Sequence, residues 1–186
     1  MSRKSAFIDR DGVLNEERAF VHRYEDFTLL PGAVAALRLL KEAGYLLVVV
    51  TNQSGIARGI YSEADYLALT GRMRAELAAA GVPLDAVEYC PHLPDAPVER
   101  YRLDCDCRKP KPGMLRRATR ALDVEPGASF LVGDRLSDIE AGRAAGIGRC
   151  YLVRTGYTLS DDAVARADGV YDDLLACARS VVASSR

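Results

Sequence analysis

Asp9 and Asp11 stand one residue apart at the end of a short apolar run, Ala6-Phe7-Ile8, and Gly12 follows them. A strand over Ala6 to Ile8 would deliver both carboxylates at its C-terminal end, the edge where open α/β sheets bind ligands. Strand side chains alternate, so positions i and i+2 point roughly the same way. Two carboxylates held together repel unless a cation lies between them or one carries a proton. The pair reads as a Mg²⁺-dependent site with one nucleophilic and one proton-transferring carboxylate. A solvated Asp pair in a turn is the alternative, and the rest of the chain must decide.

Two further apolar runs end in polar groups. Tyr45-Leu46-Leu47-Val48-Val49-Val50 stops at Thr51-Asn52-Gln53-Ser54-Gly55, and Ser129-Phe130-Leu131-Val132 stops at Gly133-Asp134, with Asp138 four residues on. The basic pair Arg108-Lys109 lies between them. Phosphoryl transfer needs these parts: carboxylates for Mg²⁺, an aspartate to attack phosphorus, hydroxyl and amide groups for the phosphoryl oxygens, and a lysine to offset their charge.

The elements that must position these groups alternate along the chain. Strands are expected at residues 6–8, 45–50, 86–89, 129–132, 149–153 and 169–171. The second is continuously apolar and β-branched, as suits a central parallel strand buried on both faces. Helices are expected from Pro31-Gly32 to Gly44, from a capping box at Ser62-Glu63-Ala64-Asp65 to about Ala80, and from about Gly113 to Leu122. Two more are expected from Ser137 or Asp138 to Ala145, and from Asp172 onward. Strands alternating with helices make an α/β, doubly wound parallel sheet, Rossmann-like, in one domain over residues 1–186. The intervals leave no room for a large cap domain, so the site should be open.

Cys90-Pro91-His92 and Cys105-Asp106-Cys107 supply three thiols and one imidazole in two close pairs. That is the ligand set of a closed structural Zn²⁺ site, with a disulfide or reduced free thiols as the alternatives. A zinc loop at about residues 90–107 would fix Arg108-Lys109 immediately after it. With four protein ligands no coordination place is left for water, so the zinc would not catalyse. Cys150, in an apolar run, and Cys177, in a late helix, read as buried structural thiols.

Composition sets the outer bounds. The chain has 186 residues, 49% hydrophobic and 27% charged, enough for a substantial core. A net charge of -1 gives no general attraction to nucleic acid or an anionic membrane. Five cysteines, an odd number, behind an N-terminus without a secretion signal argue against a disulfide framework. No run approaches membrane-spanning length. A cytoplasmic protein, expected to be a monomer, follows from these bounds.

The order Asp-x-Asp-Gly, Thr-Asn, Lys, Gly-Asp-x-x-x-Asp resembles the haloacid dehalogenase superfamily of phosphatases over nearly the whole chain. The resemblance implies that Asp9 is the nucleophile of an aspartyl-phosphate mechanism and that Asp11 transfers the protons. Asp9, the backbone carbonyl of Asp11, and Asp134 would ligate Mg²⁺. Thr51 and Lys109 would hold the phosphoryl group, with Asp138 orienting the lysine or a metal-held water. The zinc loop running into Cys-Asp-Cys-Arg-Lys-Pro-Lys-Pro-Gly-Met resembles a branch that acts on small sugar phosphates. Carried over by position, Glu17, Arg18, Ala19, Phe20, Thr51, Asn52, Gln53, Ser54, Arg108, Lys109 and Arg135 would line the substrate site. A branch acting on histidinol phosphate shares the loop pattern. A zinc-stabilised binding module without catalysis is the alternative from another class.

Overall fold

The computed structural model describes residues 3–184. Six parallel strands form one sheet: β1 (Lys4–Ile8), β2 (Tyr45–Asn52), β3 (Ala86–Cys90), β4 (Phe130–Gly133), β5 (Arg149–Val153) and β6 (Gly169–Tyr171), in the order β3-β2-β1-β4-β5-β6. Each expected strand is present, and the apolar run of β2 explains its central place. Leu47, Val48, Val49 and Val50 are all fully buried. The strand order reverses between β1 and β4, so ligands are expected in the crevice above that pair.

Two helical layers cover the sheet, and the alternation of β1 sorts them. Ala6 and Ile8 pack into a core with α1 (Ala33–Glu42), α3 (Glu63–Ala79) and α7 (Leu174–Ala183). Phe7, between them, faces the other core, with α4 (Gly113–Leu122) and α5 (Leu136–Ala144). The capping box holds: the Asp65 amide donates to Ser62 Oγ at 3.1 Å, and the Ser62 amide donates to Asp65 Oδ2 at 2.8 Å. Such a cap contributes about 1 kcal/mol.

Two short helices had no sequence signal. One is the single turn α2 (Ser54–Ala57), and the other is α6 (Asp161–Arg166), capped by Ser160. Both are shorter than the stretch over which a 3.6-residue period can register. The last helix starts at Leu174 rather than Asp172, because the Asp173 carboxylate caps it by accepting from the Ala176 amide at 2.7 Å. Among the described residues no large cap stands over the strand ends, and no helix is long and apolar enough to cross a membrane.

Register sets the site. Ile8 pairs with Val49 on one side and Val132 on the other. The residues just beyond, Asp9, Thr51 and Asp134, therefore leave three adjacent strands at one edge.

Candidate active site

Asp9 is anchored where β1 ends: its amide donates to Val132 O at 3.0 Å, and its Oδ1 accepts the Arg10 amide at 2.8 Å. Lys109, only 4% exposed, places Nζ 2.9 Å from Asp9 Oδ1 and 2.6 Å from Asp138 Oδ1, and donates to Val50 O at 3.0 Å. Asp138 Oδ2 accepts the amides of Asp134 and Arg135 at 3.2 and 3.1 Å. Asp134 Oδ2 accepts the Tyr157 amide at 3.0 Å. Gly12, at φ +82°, leaves space for that carboxylate, since a Cβ there would fall 2.5 Å from Asp134 Oδ2.

Three carboxylates thus share one ammonium in a nearly dry site. Burial raises the Asp9 carboxyl well above its ordinary value; Lys109 pulls it down, and Asp138 and Asp134 push it up. Burial and the neighbouring Asp138 raise Asp134 to about 6. Lys109 moves up too: burial opposes its charge, but Asp138 and Asp9 outweigh it. Asp9, Asp134 and Asp138 each offer an oxygen within 4.8 Å of the others. Hard oxygen donors whose charges are poorly compensated suit a small divalent cation such as Mg²⁺.

Asn52 binds the lysine segment rather than pointing free into space. Its Oδ1 accepts the Lys109 amide at 3.0 Å, and its Nδ2 donates to Lys109 O at 3.1 Å. Thr51 is buried, with Oγ1 accepting from Gln53 Nε2 at 2.8 Å. The Asp11 carboxylate is engaged by Arg10, Asn15 and Gln53. It does not join the Asp9, Asp134 and Asp138 oxygens.

The second cluster lies at the end of β3. Cys105 Sγ is 3.5 Å from Cys90 Sγ and 3.2 Å from Cys107 Sγ, and His92 Nδ1 lies 3.5 Å from Cys107 Sγ. All five cysteines are free, so the disulfide alternative drops out. The four ligand atoms lie within 4.8 Å of one another. The hydrogen bond from Cys90, against burial and helped by His92, lowers the Cys107 thiol to about 5, while the Cys90 thiol moves far up. Three soft thiolates and one imidazole, two ligands from each side of a loop, fit a closed tetrahedral zinc site. The cluster is tied to the strand edge, because the Gln53 amide donates to Cys90 O at 2.8 Å and Lys109 follows Cys107 by two residues.

An open cavity of about 420 Å³ spans the strand ends. It gathers Asp9, Asp11, Lys109, Asp134 and Asp138 with Thr51, Asn52, Gln53 and Ser54. Glu17, Ala19, Phe20, Arg108 and Arg135 of the expected set line it too. Arg18 lies outside this lining, its guanidinium on Glu16 at 2.5 Å. Ala19 and Phe20 both take left-handed backbone, at φ 51° and 64°, with the Ala19 amide held by Glu17 Oε1 at 2.7 Å. Sequence reasoning missed Tyr61, Pro110, Ser137 and Tyr157 in the wall. Tyr157 was within reach, since it closely follows β5 and so falls at the same edge; the Arg135 guanidinium lies 3.5 Å over its ring. Tyr61 had no signal, because the unanticipated α2 turns it inward.

Known proteins bear on this arrangement. A HAD-hydrolase-like family model matches residues 106–177. The D-glycero-beta-D-manno-heptose-1,7-bisphosphate 7-phosphatase of Photorhabdus laumondii is 48% identical over 170 residues, covering 91% of this chain and 90% of that protein. The chain belongs to the heptose-1,7-bisphosphate 7-phosphatase family. The member from Escherichia coli K12 is 47% identical over 168 residues, 90% of this chain and 88% of its own. The crystal structure of the D,D-heptose 1,7-bisphosphate phosphatase from B. bronchiseptica, complexed with magnesium and phosphate, superposes with a TM-score of 0.84 at 36% identity. It covers 97% of this chain and 99% of that one. These heptose phosphatases match over about nine-tenths of the chain.

Proposed function

We propose that this chain hydrolyses the 7-phosphate of D-glycero-β-D-manno-heptose 1,7-bisphosphate through an aspartyl-phosphate on Asp9. One observation carries the chemistry: Lys109, almost fully buried, bridges Asp9 and Asp138 at the strand-order switch. A binding module without catalysis would have no use for so costly an arrangement of buried charge.

Asp9 attacks phosphorus, forming a P–O bond as the bond to the C7 oxygen breaks. Asp11 gives its proton to that oxygen, so the sugar leaves as a neutral alcohol. As a carboxylate, Asp11 then takes a proton from the water that attacks the aspartyl-phosphate. Phosphate leaves, and Asp9 returns as a carboxylate. Thr51 and Lys109 hold the phosphoryl oxygens through both steps. Asp9, Asp134 and the Asp11 backbone carbonyl would hold Mg²⁺, which supplies charge stabilisation to the transferring group. Cys90, His92, Cys105 and Cys107 would hold Zn²⁺ as a strut. Arg108 suits the distal 1-phosphate: it lines the cavity, and its Nη1 is shut from solvent without a partner. The product would feed nucleotide-activated heptose synthesis for lipopolysaccharide or S-layer glycan, in a monomeric cytoplasmic enzyme.

Phosphate release from the heptose bisphosphate, set against histidinol phosphate, tests the reading. The heptose substrate should be strongly preferred, with activity lost on chelation and restored by Mg²⁺. Equal turnover of both substrates would overturn the assignment.

A further inference from the structure

Arg10 lies between the two motif aspartates. It is completely buried, the largest fully buried side chain among the described residues. Its guanidinium forks onto Asp11: Nε donates to Oδ2 at 3.1 Å and Nη2 to Oδ1 at 2.9 Å. Nη2 also donates to Val21 O at 2.8 Å, and the ring of Tyr66 lies 5.8 Å from the guanidinium carbon. The pair is sharply polarised in exposure, with 1% for the Arg10 side chain and 20% for Asp11. Arg10 stands behind the carboxylate, and Asp11 stands in the cavity wall.

The same carboxylate is gripped from two other directions. Asn15 Nδ2 donates to Oδ1 at 3.0 Å, and Gln53 Nε2 donates to Oδ2 at 3.1 Å. Tyr61 OH donates to Gln53 Oε1, which fixes which end of the amide faces Asp11. His22 stacks on the Tyr61 ring at 4.9 Å, nearly parallel. Four donors therefore converge on one carboxylate.

We infer that Arg10 is the positioning residue for proton transfer: its buried fork, closed by Gln53 and oriented through Tyr61, holds the Asp11 carboxylate at the cavity wall for the leaving oxygen. The inference rests on the reading of Asp11 as the proton-transferring group. Arginine is required in type as well as charge. A planar guanidinium fixes both carboxylate oxygens at once, whereas a lysine ammonium binds as a point and leaves the carboxylate free to turn. The cradle contains only donors, so it matches the carboxylate that remains once the proton has passed to the leaving oxygen. Charge developing on Asp11 as the ester bond breaks is met by groups already in place.

A leaving-group comparison separates this role from a structural one. The sugar C7 oxygen is an alkoxide leaving group and needs a proton, whereas p-nitrophenolate leaves without one. First-turnover rates of phosphoenzyme formation are measured on the heptose bisphosphate and on p-nitrophenyl phosphate, for wild type, Asp11→Asn, Arg10→Lys and Tyr61→Phe. Asp11→Asn should lose about 100-fold or more on the sugar phosphate and far less on the aryl phosphate. Arg10→Lys should repeat that split with a loss of about 10- to 100-fold on the sugar phosphate. Tyr61→Phe should show the same sign at about 3- to 10-fold, since it loosens only one of the four donors. Equal losses on both substrates in Arg10→Lys, or none, would overturn the inference. Should Arg10→Lys fail to fold, the Tyr61→Phe split decides, and its absence overturns the inference. If Asp11→Asn itself shows no split, the reading of Asp11 fails and the inference falls with it, whereas a split in Asp11→Asn without one in Arg10→Lys overturns the inference alone.

Discussion

The carboxylate cluster beyond β1 and β4 and the Cys-His cluster beyond β3 are each a knot of ligand atoms within 4.8 Å. They differ in what balances them. The carboxylates carry their own cation, because Lys109 lies within 3 Å of two of them. The thiols have one imidazole among them, and the Arg117 guanidinium beside Cys107 is already paired with Glu88 Oε2 at 2.9 Å. A site with an internal counter-ion keeps its shape when a divalent ion leaves and loses only its chemistry. A site without one depends on the metal for its shape. Since Lys109 follows Cys107 by two residues, the second cluster also holds the first in place.

The largest expected effect lies in the carboxylate cluster. Asp9→Asn should abolish phosphate release while the thermal midpoint stays close to wild type, because an amide cannot attack phosphorus and burial already disfavours the charge it removes. Near-normal turnover would break the mechanism. The complementary experiment strikes the other cluster. Metal analysis of chelator-free protein should find about one Zn²⁺ per chain, and Cys107→Ser should lower the thermal midpoint and the activity together. A variant that loses zinc while keeping both would remove the contrast between the clusters.

A smaller effect is expected at the rim. Arg108→Ala should reduce kcat/KM for the bisphosphate by about 10- to 100-fold, the cost of one charge-assisted contact of roughly 1.5–3 kcal/mol. It should barely affect p-nitrophenyl phosphate, whereas Lys109→Ala should impair both substrates. Equal losses in Arg108→Ala would move Arg108 from recognition into the chemistry.

The smallest effect is in pH. Asp134 titrates at about 6 in the fold, against 3.8 ordinarily, with burial as the chief cause. Its raised value means that the metal-free fold binds the extra proton between those limits, so this group makes it less stable as pH rises toward and past about 6. Mg²⁺ competes with that proton. The rise in thermal midpoint on adding Mg²⁺ should therefore be greater at pH 8 than at pH 5. The opposite order would show that Asp134 does not hold the ion.

Much of this was legible in the chain. All six strands follow from apolar runs, and the polar groups that end them could be assigned to one edge because parallel strands end together. The Cys-x-His and Cys-x-Cys pairs announced a cluster, since few other roles gather three thiols and an imidazole so closely. Short-range patterns failed where the residue's neighbours are distant in sequence. Asn52 does line the cavity, but no local pattern shows that its amide also holds the backbone of Lys109, a residue 57 positions away. Arg18, by contrast, has a local partner, Glu16 two residues away, and lies outside the cavity lining.

The sequence by itself determined the alternation of strands and helices, the edge at which chemistry collects, and the residue types that perform it. Each of these depends on local periodicity or on groups that directly follow a strand. Only the tertiary structure decided that Lys109 lies between Asp9 and Asp138, that Tyr61 and Tyr157 close the cavity wall, and that Arg10 turns inward beneath Asp11. The direction a charged side chain takes depends on what surrounds it in three dimensions. A buried arginine is tolerated here because a carboxylate, a backbone carbonyl and an aromatic ring meet it, and two of those three groups come from residues 11 and 56 positions away.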